Sequence, residues 1–468
     1  MSVIILGSGV TGQSACHKLK QLQIPYQIYD DIKTYVQLGD GSIEHTISSI
    51  QEIHWTCVKS IIVSPGISYW PQPHAVILEA QKRMIPVITD VDLFQLLYPK
   101  APIIAVTGTV GKTTVAHMIA HILKVCGLNV SCSGNSIKPL LHEPTTDIDV
   151  YVIEMSSTQL EKSCVFGFNV AILTNLSDHH LKMHGNFFNY INAKMRVFWN
   201  AKCAVINAQD SITKTLLNNI YSIMNCTTAF KDQPYDTHNI LMLLNNQSYT
   251  PIINDELPLA LAHKHIQSNF GLAYLACRAF VEYNHNDYKV TLRTLLQNLS
   301  YAFYSFKTLE HRQEIIVQYD HLIVVNDSKS TTPSATMAAL DNFENIYLIM
   351  GGKWENESFI PLIPYMNKVK YCCLIGEAAQ HIADTFNLYN NSGITNIVYS
   401  QHQDLKLALL DMLSRIPHDI PNAEYKNSIN TLLLSPSCPS FDQFQSFEHR
   451  GEVFRELIEE LLVKSSHV

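Results

Sequence analysis

The run Ala105-Val-Thr-Gly-Thr-Val-Gly-Lys-Thr-Thr114 places a lysine and two threonines on a turn punctuated by Gly108 and Gly111. The apolar residues Ile103 to Val106 read as a buried strand. After the turn, Val115, Met118, Ile119, Ile122 and Leu123 recur at the spacing of one helix face. Strand, glycine turn and helix start make a phosphate cradle, because backbone N–H groups and the positive helix end face the anion. Lys112 can reach terminal phosphates, and the Thr113 hydroxyl can join a Mg²⁺ shell. Val106 stands where the P-loop pattern has its first glycine, yet the two remaining glycines permit the tight turn. An ordinary glycine-rich strand-to-helix loop is the plain alternative. The lysine–threonine pair at the helix start favours nucleotide binding through Gly108, Thr109, Val110, Gly111, Lys112, Thr113 and Thr114.

Other polar clusters also follow apolar runs. Glu154-Met-Ser-Ser-Thr-Gln-Leu-Glu161 begins where a hydrophobic run ends, the place of a Mg²⁺-binding acid, although a surface salt bridge would also explain Glu154. Leu173-Thr-Asn-Leu-Ser-Asp-His-His180, His184-Gly and Asn189-Tyr-Ile-Asn-Ala-Lys194 come next. Histidines after a strand in the sheet of the phosphate loop are candidates for chemistry, whereas Lys194 on a helix reads by itself as a solvated charge. Glu310-His-Arg312 and Val325-Asn-Asp-Ser-Lys-Ser-Thr331 suggest a further site at a strand end, with a helix cap by Asp327 or Ser328 as the alternative. The stretch Leu434–Gly451 holds more polar side chains than a core needs. Near the start, Gly7-Ser-Gly9-Val-Thr-Gly12 follows a strand and Asp30 ends the next one, a pattern that alone would indicate an NAD-dependent dehydrogenase. Physically it specifies a diphosphate resting on a helix N-terminus, which a UDP-sugar shares with NAD. Ser64-Pro-Gly66 ends a third strand in similar style, and Val10, Thr11, Asp30, Ser64, Pro65 and Gly66 together make this second cradle.

The elements that must position these residues fall into three blocks. Residues 1–95 alternate short apolar runs (Val3–Leu6, Gln27–Tyr29, Ser60–Val63, Pro86–Ile88) with helical segments at Ser14–Leu22 and Ala75–Lys82, a βαβ pattern that implies a parallel sheet. Residues 96–300 contain the phosphate loop and strands at Val150–Ile153 and Val170–Leu173; ligands of an open α/β sheet collect at such carboxyl ends. Residues 301–468 predict strands at Leu322–Val325, Ile346–Met350, Tyr371–Ile375, Thr395–Val398 and Thr431–Leu434. The Asn- and Thr-rich segment 225–260 reads as loop. A chain of 468 residues is too long for one core, and its 47 % apolar content fits a globular protein. The net charge of −8 argues against non-specific nucleic-acid binding. No apolar run reaches the length of a membrane span, and no secretory signal is evident, which predicts a cytoplasmic location. Eleven scattered cysteines without metal-type spacing read as reduced core residues.

Thr107–Thr114, Glu154–Glu161, Asn175–Lys194, His311-Arg312, Asn326–Thr331 and Ser435–Gly451 together closely resemble the Mur ligases. The resemblance spans all three blocks, and its most specific part, the C-terminal run, points to the members that add D-glutamate. It implies an α/β chain of three domains: a Rossmann-like UDP-binding domain, a P-loop ATPase-like central domain and a Rossmann-like C-terminal domain. The implied reaction joins D-glutamate to UDP-MurNAc-L-Ala with ATP, through an acyl phosphate, in a monomer with no nucleic-acid or membrane partner in the bacterial cytoplasm. By the same resemblance Lys112 holds ATP phosphates, and Thr113, Glu154, His180 and Lys194 hold two Mg²⁺ ions, Lys194 as a carbamate formed from CO₂. Lys112, His180 and Lys194 are then the catalytic residues. Asn135, Asn269, Arg312 and Asp327 touch the nucleotide. Ser156, Gln159 and His180 face the muramoyl substrate, and Lys329, Thr331, Lys353, Ser440 and Phe447 receive D-glutamate. The chain departs from the family pattern at Val110, His179, Lys182, Met183, Ile266 and Glu355. A different amino-acid ligase of the family, or a non-catalytic nucleotide-binding regulator of the same fold, is the alternative reading.

Overall fold

The computed structural model describes residues 2–67, 69–142, 147–164, 167–177, 181–217, 219–220, 240–244, 264–283, 290–319, 321–417 and 429–463. They form three six-stranded sheets. The first contains β1 (Ser2–Leu6), β2 (Tyr26–Tyr29), β3 (Tyr35–Gln37), β4 (Ile43–Ile47), β5 (Val58–Val63) and β6 (Val87–Ile88), in the order β3-β4-β2-β1-β5-β6. Its strands are parallel except for the β3–β4 pair. The second contains β7 (Ile103–Thr107), β8 (Val130–Gly134), β9 (Val150–Glu154), β10 (Val170–Leu173), β11 (Cys203–Asn207) and β12 (Ile240–Leu244), all parallel, in the order β12-β11-β10-β7-β9-β8. The third contains β13 (Glu314–Gln318), β14 (Leu322–Asn326), β15 (Ile346–Gly351), β16 (Val369–Ile375), β17 (Tyr399–Gln401) and β18 (Asn430–Leu434). Its order is β13-β14-β18-β15-β16-β17, with β13 antiparallel to β14.

The near-continuous apolar composition of these strands follows from their being covered on both faces. Val3 and Ile5 of β1 face a core shared with Ile103 and Ala105 of β7, with the ring of Phe94 4.9 Å from that of Tyr151. Ile4 and Leu6 face the other way, toward Ile61, Val63 and the helix Ala75–Lys82. In the third sheet Ile323 and Val325 serve one core, and Leu322 and Val324 the other. Compactness divides the chain into two units, residues 1–257 with 266–306, and residues 258–265 with 307–468. Among the described residues the cysteines are free, and no helix is long and apolar enough to cross a membrane.

Several elements differ from the expectation. Thr395–Val398 is not a strand, and the ladder begins at Tyr399 instead. The Asn390 side chain, in the last turn of the helix Ala379–Asn391, accepts from the Ile397 amide (2.9 Å) and the Thr395 hydroxyl (2.8 Å) and donates to the Ile397 carbonyl. Both backbone groups of Ile397 are therefore engaged before they can join a sheet. The segment 225–260 contains β12, which pairs in parallel with β11 from Cys203↔Ile240 to Asn207↔Leu244. Its polar flanks hid it. The hairpin β3–β4 at one sheet edge and the edge strand β13 were also not evident, being short and having partly exposed faces such as Ile43.

Two of the three sheets reverse strand order beside a glycine turn. β1 lies between β2 and β5, and β7 between β10 and β9, so both turns open at topological switch points, where a crevice forms.

Candidate active site

The phosphate loop joins β7 to the helix Lys112–Val125. It is shaped by the end of β10. Gly108 has φ +147°, and a Cβ there would lie 1.9 Å from the Thr174 hydroxyl oxygen, so no other residue fits without moving the loop. Thr174 Oγ1 donates to the Val110 carbonyl (2.7 Å), and the Asn175 carbonyl accepts from the Thr109 amide (3.0 Å). The Asn175 side chain both accepts from the Val110 N–H and donates to its carbonyl, each at 2.9 Å. Val110 is thus gripped by its backbone while its side chain is exposed, which explains why a valine is tolerated there. Gly111 caps the helix at φ +84°, with the Asn269 amide close beside it. Thr114 is half-buried on the first helical turn.

Four further side chains converge on this loop. Glu154, at the end of β9 and fully buried, accepts from Thr113 Oγ1 at 2.7 Å through one oxygen and from Asn135 Nδ2 at 3.0 Å through the other. Asn135 follows β8, and the Gly134↔Glu154 register brings it there. Lys112 Nζ donates to the Thr109 carbonyl at 2.9 Å. Lys194, from the helix Phe187–Met195, is almost wholly buried and donates to the Gly108 carbonyl at 2.7 Å. Its ammonium also lies 4.7 Å from the ring centroid of Tyr190, whose hydroxyl meets Thr109 Oγ1 at 2.9 Å. Burial, reinforced by the charge of Lys112 and opposed by Glu154, holds the Lys194 amine well below the usual lysine range. The solvated charge expected from its helical position is therefore replaced by a buried amine against the phosphate loop. His179, His180 and the side chain of Lys182 lie outside what the structure describes. Ile266 is buried, an apolar contact in place of a polar one.

At the first sheet, Gly12 lets the helix Val10–Gln21 start close behind β1, since a Cβ there would sit 2.0 Å from the Gly7 carbonyl oxygen. Val10 is exposed and Thr11 half-buried at that helix start. Asp30 accepts from the Ser8 amide (2.9 Å) and hydroxyl (2.5 Å) and from the amides of Ile32 and Lys33. Burial raises its pKa, but these hydrogen bonds outweigh that and hold it at about 2. Ser64 Oγ donates to the Gly7 carbonyl at 2.9 Å, joining the two turns, and Gly66 is exposed beyond Pro65. Ser156 caps the helix Ser157–Lys162 and forms a capping box with Gln159, which is buried and also donates to Asp90 at 3.1 Å. The cap and Asp90 thus engage the Gln159 amide. His184 is buried against Ser157 (2.9 Å) and Glu161 (3.5 Å).

In the second unit Arg312 stands between His311 and Gln313, both in the left-handed region at φ 60° and 47°. The Glu314 carboxylate accepts from the His311 amide, Asp327 from the Gln313 amide, and the Lys329 amide donates to the His311 carbonyl, which holds this strained turn. Asp327 also accepts from the hydroxyls of Ser330 and Ser435; burial nevertheless pushes its carboxyl up to about 6. The Lys329 ammonium lies 4.7 Å from the Phe447 ring centroid, and Thr331 is half-buried nearby in sequence. Ser440 is buried, and its hydroxyl makes no hydrogen bond among the described residues. Lys353 is exposed, its amide donating to the Pro439 carbonyl at 2.8 Å.

Sequence reasoning missed Arg450, a fully buried guanidinium that donates to the Ser328 hydroxyl and carbonyl and to the Cys438 carbonyl, between 2.8 and 3.1 Å. The sign available was a charged residue where the polar run passes into the amphipathic helix Phe447–Ile458. Thr174, Asn175 and Tyr190 were likewise unassigned, although they lie in stretches that stood out.

Residues 106–277 match the family model described as the Mur ligase middle domain. The chain is 30 % identical over 424 residues to the UDP-N-acetylmuramoylalanine–D-glutamate ligase of Rhodospirillum rubrum, with 87 % of this chain and 83 % of that one covered. It is 31 % identical over 472 residues to the protein of the same name from Paramagnetospirillum magneticum, with 98 % and 96 % covered. Its fold is similar to that of the UDP-N-acetylmuramate–alanine ligase of Thermotoga maritima, with a TM-score of 0.53, 16 % identity and 98 % and 99 % covered. With its three α/β sheets, its phosphate loop and this degree of identity over nearly the whole length, the chain belongs to the UDP-N-acetylmuramoylalanine–D-glutamate ligases of the Mur ligase family.

Proposed function

We propose that this chain joins D-glutamate to UDP-N-acetylmuramoyl-L-alanine at the expense of ATP, a step in the assembly of peptidoglycan precursors. The observation that supports it best is the convergence of Lys112, Thr113, Asn135, Glu154 and Lys194 on one glycine turn at the end of β7. In this reading a carboxylate oxygen of the muramoyl-alanine attacks the γ-phosphorus and ADP leaves. The amine of D-glutamate then attacks the acyl carbon, phosphate departs, and the nitrogen loses a proton.

The loop amides and Lys112 bind and orient the transferring phosphoryl group, which is most of the protein's task in such chemistry. The donor set suits Mg²⁺, since a buried carboxylate already reached by a hydroxyl and an amide is a hard oxygen site. Thr113, Glu154, His180 and Lys194 are the residues assigned to two ions. When bound, Mg²⁺ supplies positive charge to the phosphate oxygens. Burial holds the Lys194 amine well below the usual lysine range, a shift toward the form that adds to CO₂, so Lys194 suits a carbamate. Asn269, Arg312 and Asp327 are assigned to the nucleotide, and Ser156 and Gln159 to the muramoyl group. Lys329, Thr331, Lys353, Ser440 and Phe447 are assigned to D-glutamate, where ammonium and hydroxyl groups would bind carboxylates. Residues 1–95, 96–300 and 301–468 are read as the UDP-substrate, ATP and amino-acid domains of a cytoplasmic monomer.

The test is ADP release from ATP with UDP-MurNAc-L-Ala, comparing D-glutamate with L-glutamate, L-alanine and no amino acid. Dependence on D-glutamate is expected. Equal release with another amino acid would indicate a different ligase of the family, and no release with any would indicate a non-catalytic role.

A further inference from the structure

Lys162 ends the helix Ser157–Lys162 and is only 3 % exposed. Its ammonium donates to the carbonyl oxygens of Pro65 (2.9 Å) and Ser64 (3.4 Å) and lies 5.6 Å from the ring centroid of Tyr69. Among the described residues no carboxylate pairs with it; the neighbouring Glu161 faces His184. Burial pulls the amine down to about 8, with Glu161 opposing. A buried cation with only neutral partners is costly unless something else compensates it.

The loop that it holds suggests the compensation. A trans peptide is planar, with its carbonyl and N–H pointing in opposite directions. Pinning the Pro65 carbonyl on Lys162 therefore turns the Gly66 N–H away from the interior, on a loop whose far side is open: a Cβ at Gly66 would meet nothing within 4 Å. The Ser64 hydroxyl ties this loop to Gly7, beside the start of the helix Val10–Gln21.

We propose that Lys162 is a positioning residue for the anionic diphosphate of the UDP-linked substrate, holding the Ser64–Gly66 backbone so that it presents its N–H to the anion and adding positive charge behind it. This rests on the reading of Gly7–Gly12 and Ser64–Gly66 as the UDP cradle. The substituent is unusual in its place, because a helix-terminal lysine on a soluble protein ordinarily reaches solvent.

The test is calorimetric titration of the full-length wild type, Lys162→Met and Lys162→Arg with UDP and with uridine. Lys162→Met is expected to weaken UDP about tenfold or more, a difference of about 1.4 kcal/mol, while uridine binding is unchanged. Lys162→Arg should recover part of the loss, and KM for ATP should not move. An equal loss for uridine and UDP, or no loss for either, overturns the proposal. Should Lys162→Met fail to fold, Lys162→Gln replaces it in the same comparison. Failure of the wild type to bind UDP would instead overturn the cradle reading on which the proposal rests.

Discussion

Lys194 is a long cationic side chain that the fold has taken out of water and set against the Gly108 carbonyl. Its helical position alone suggests a solvated charge; only the resemblance and then the geometry give it another meaning. Lys194→Ala should lower turnover on the order of 100-fold or more while leaving the fold intact. Steady-state ligation assays beside a circular-dichroism melt would check this, and turnover near that of the wild type would contradict it. Asp327 offers a different test. Burial lifts its carboxyl to about 6 against the hydroxyls of Ser330 and Ser435. Between the unfolded value of about 3.9 and that figure, the folded chain holds the extra proton, so this group makes stability fall as pH rises through the window. The loss should be on the order of 2–3 kcal/mol and should vanish in Asp327→Asn. Urea midpoints from pH 4 to 6.5 would measure it, and parallel curves for the two proteins would refute it. Asp327 was singled out from sequence as a nucleotide contact or a helix cap, but its many hydrogen bonds were invisible because Ser435 is distant in the chain.

At the scale of elements, the phosphate loop was legible because every part of it is local: an apolar strand, two glycines, a lysine and an amphipathic helix in twenty-odd residues. What holds it in shape was not, since Thr174 and Asn175 reach it from β10. Gly108→Ala should therefore do more than strain a backbone angle. The added methyl would collide with Thr174 and displace the turn, costing about 1–3 kcal/mol and most ATP affinity. Fluorescent-nucleotide titration and a thermal melt would show both effects, and unchanged ATP affinity would rule the account out. The misplaced strand at Thr395–Val398 carries the same lesson. Its β-branched residues have strand propensity, but the Asn390 side chain claims the Ile397 backbone and the Thr395 hydroxyl first. Short edge strands such as β3 and β13 escaped notice because one partly exposed face leaves little hydrophobic pattern.

For the whole molecule, the two compact units have their own sheets and cores. Calorimetric unfolding should then depart from two-state behaviour, with a calorimetric enthalpy larger than the van't Hoff value. UDP should raise only the transition of the unit holding residues 1–257 and 266–306, by about 2.7 kcal/mol at a hundred times its dissociation constant. A single transition that UDP shifts as a whole would refute this. Chain order and local pattern by themselves determined the α/β class, the glycine turns that follow β1 and β7 and the family, because each motif depends on residues close together in sequence. The burial of Lys194, the Glu154–Thr113–Asn135 contacts, the Arg450 knot and the clamp of Lys162 on the 64–66 loop were decided only by tertiary structure. Each joins segments far apart in the chain, and desolvation, which sets their charges and hydrogen bonds, depends on what the folded chain packs around them.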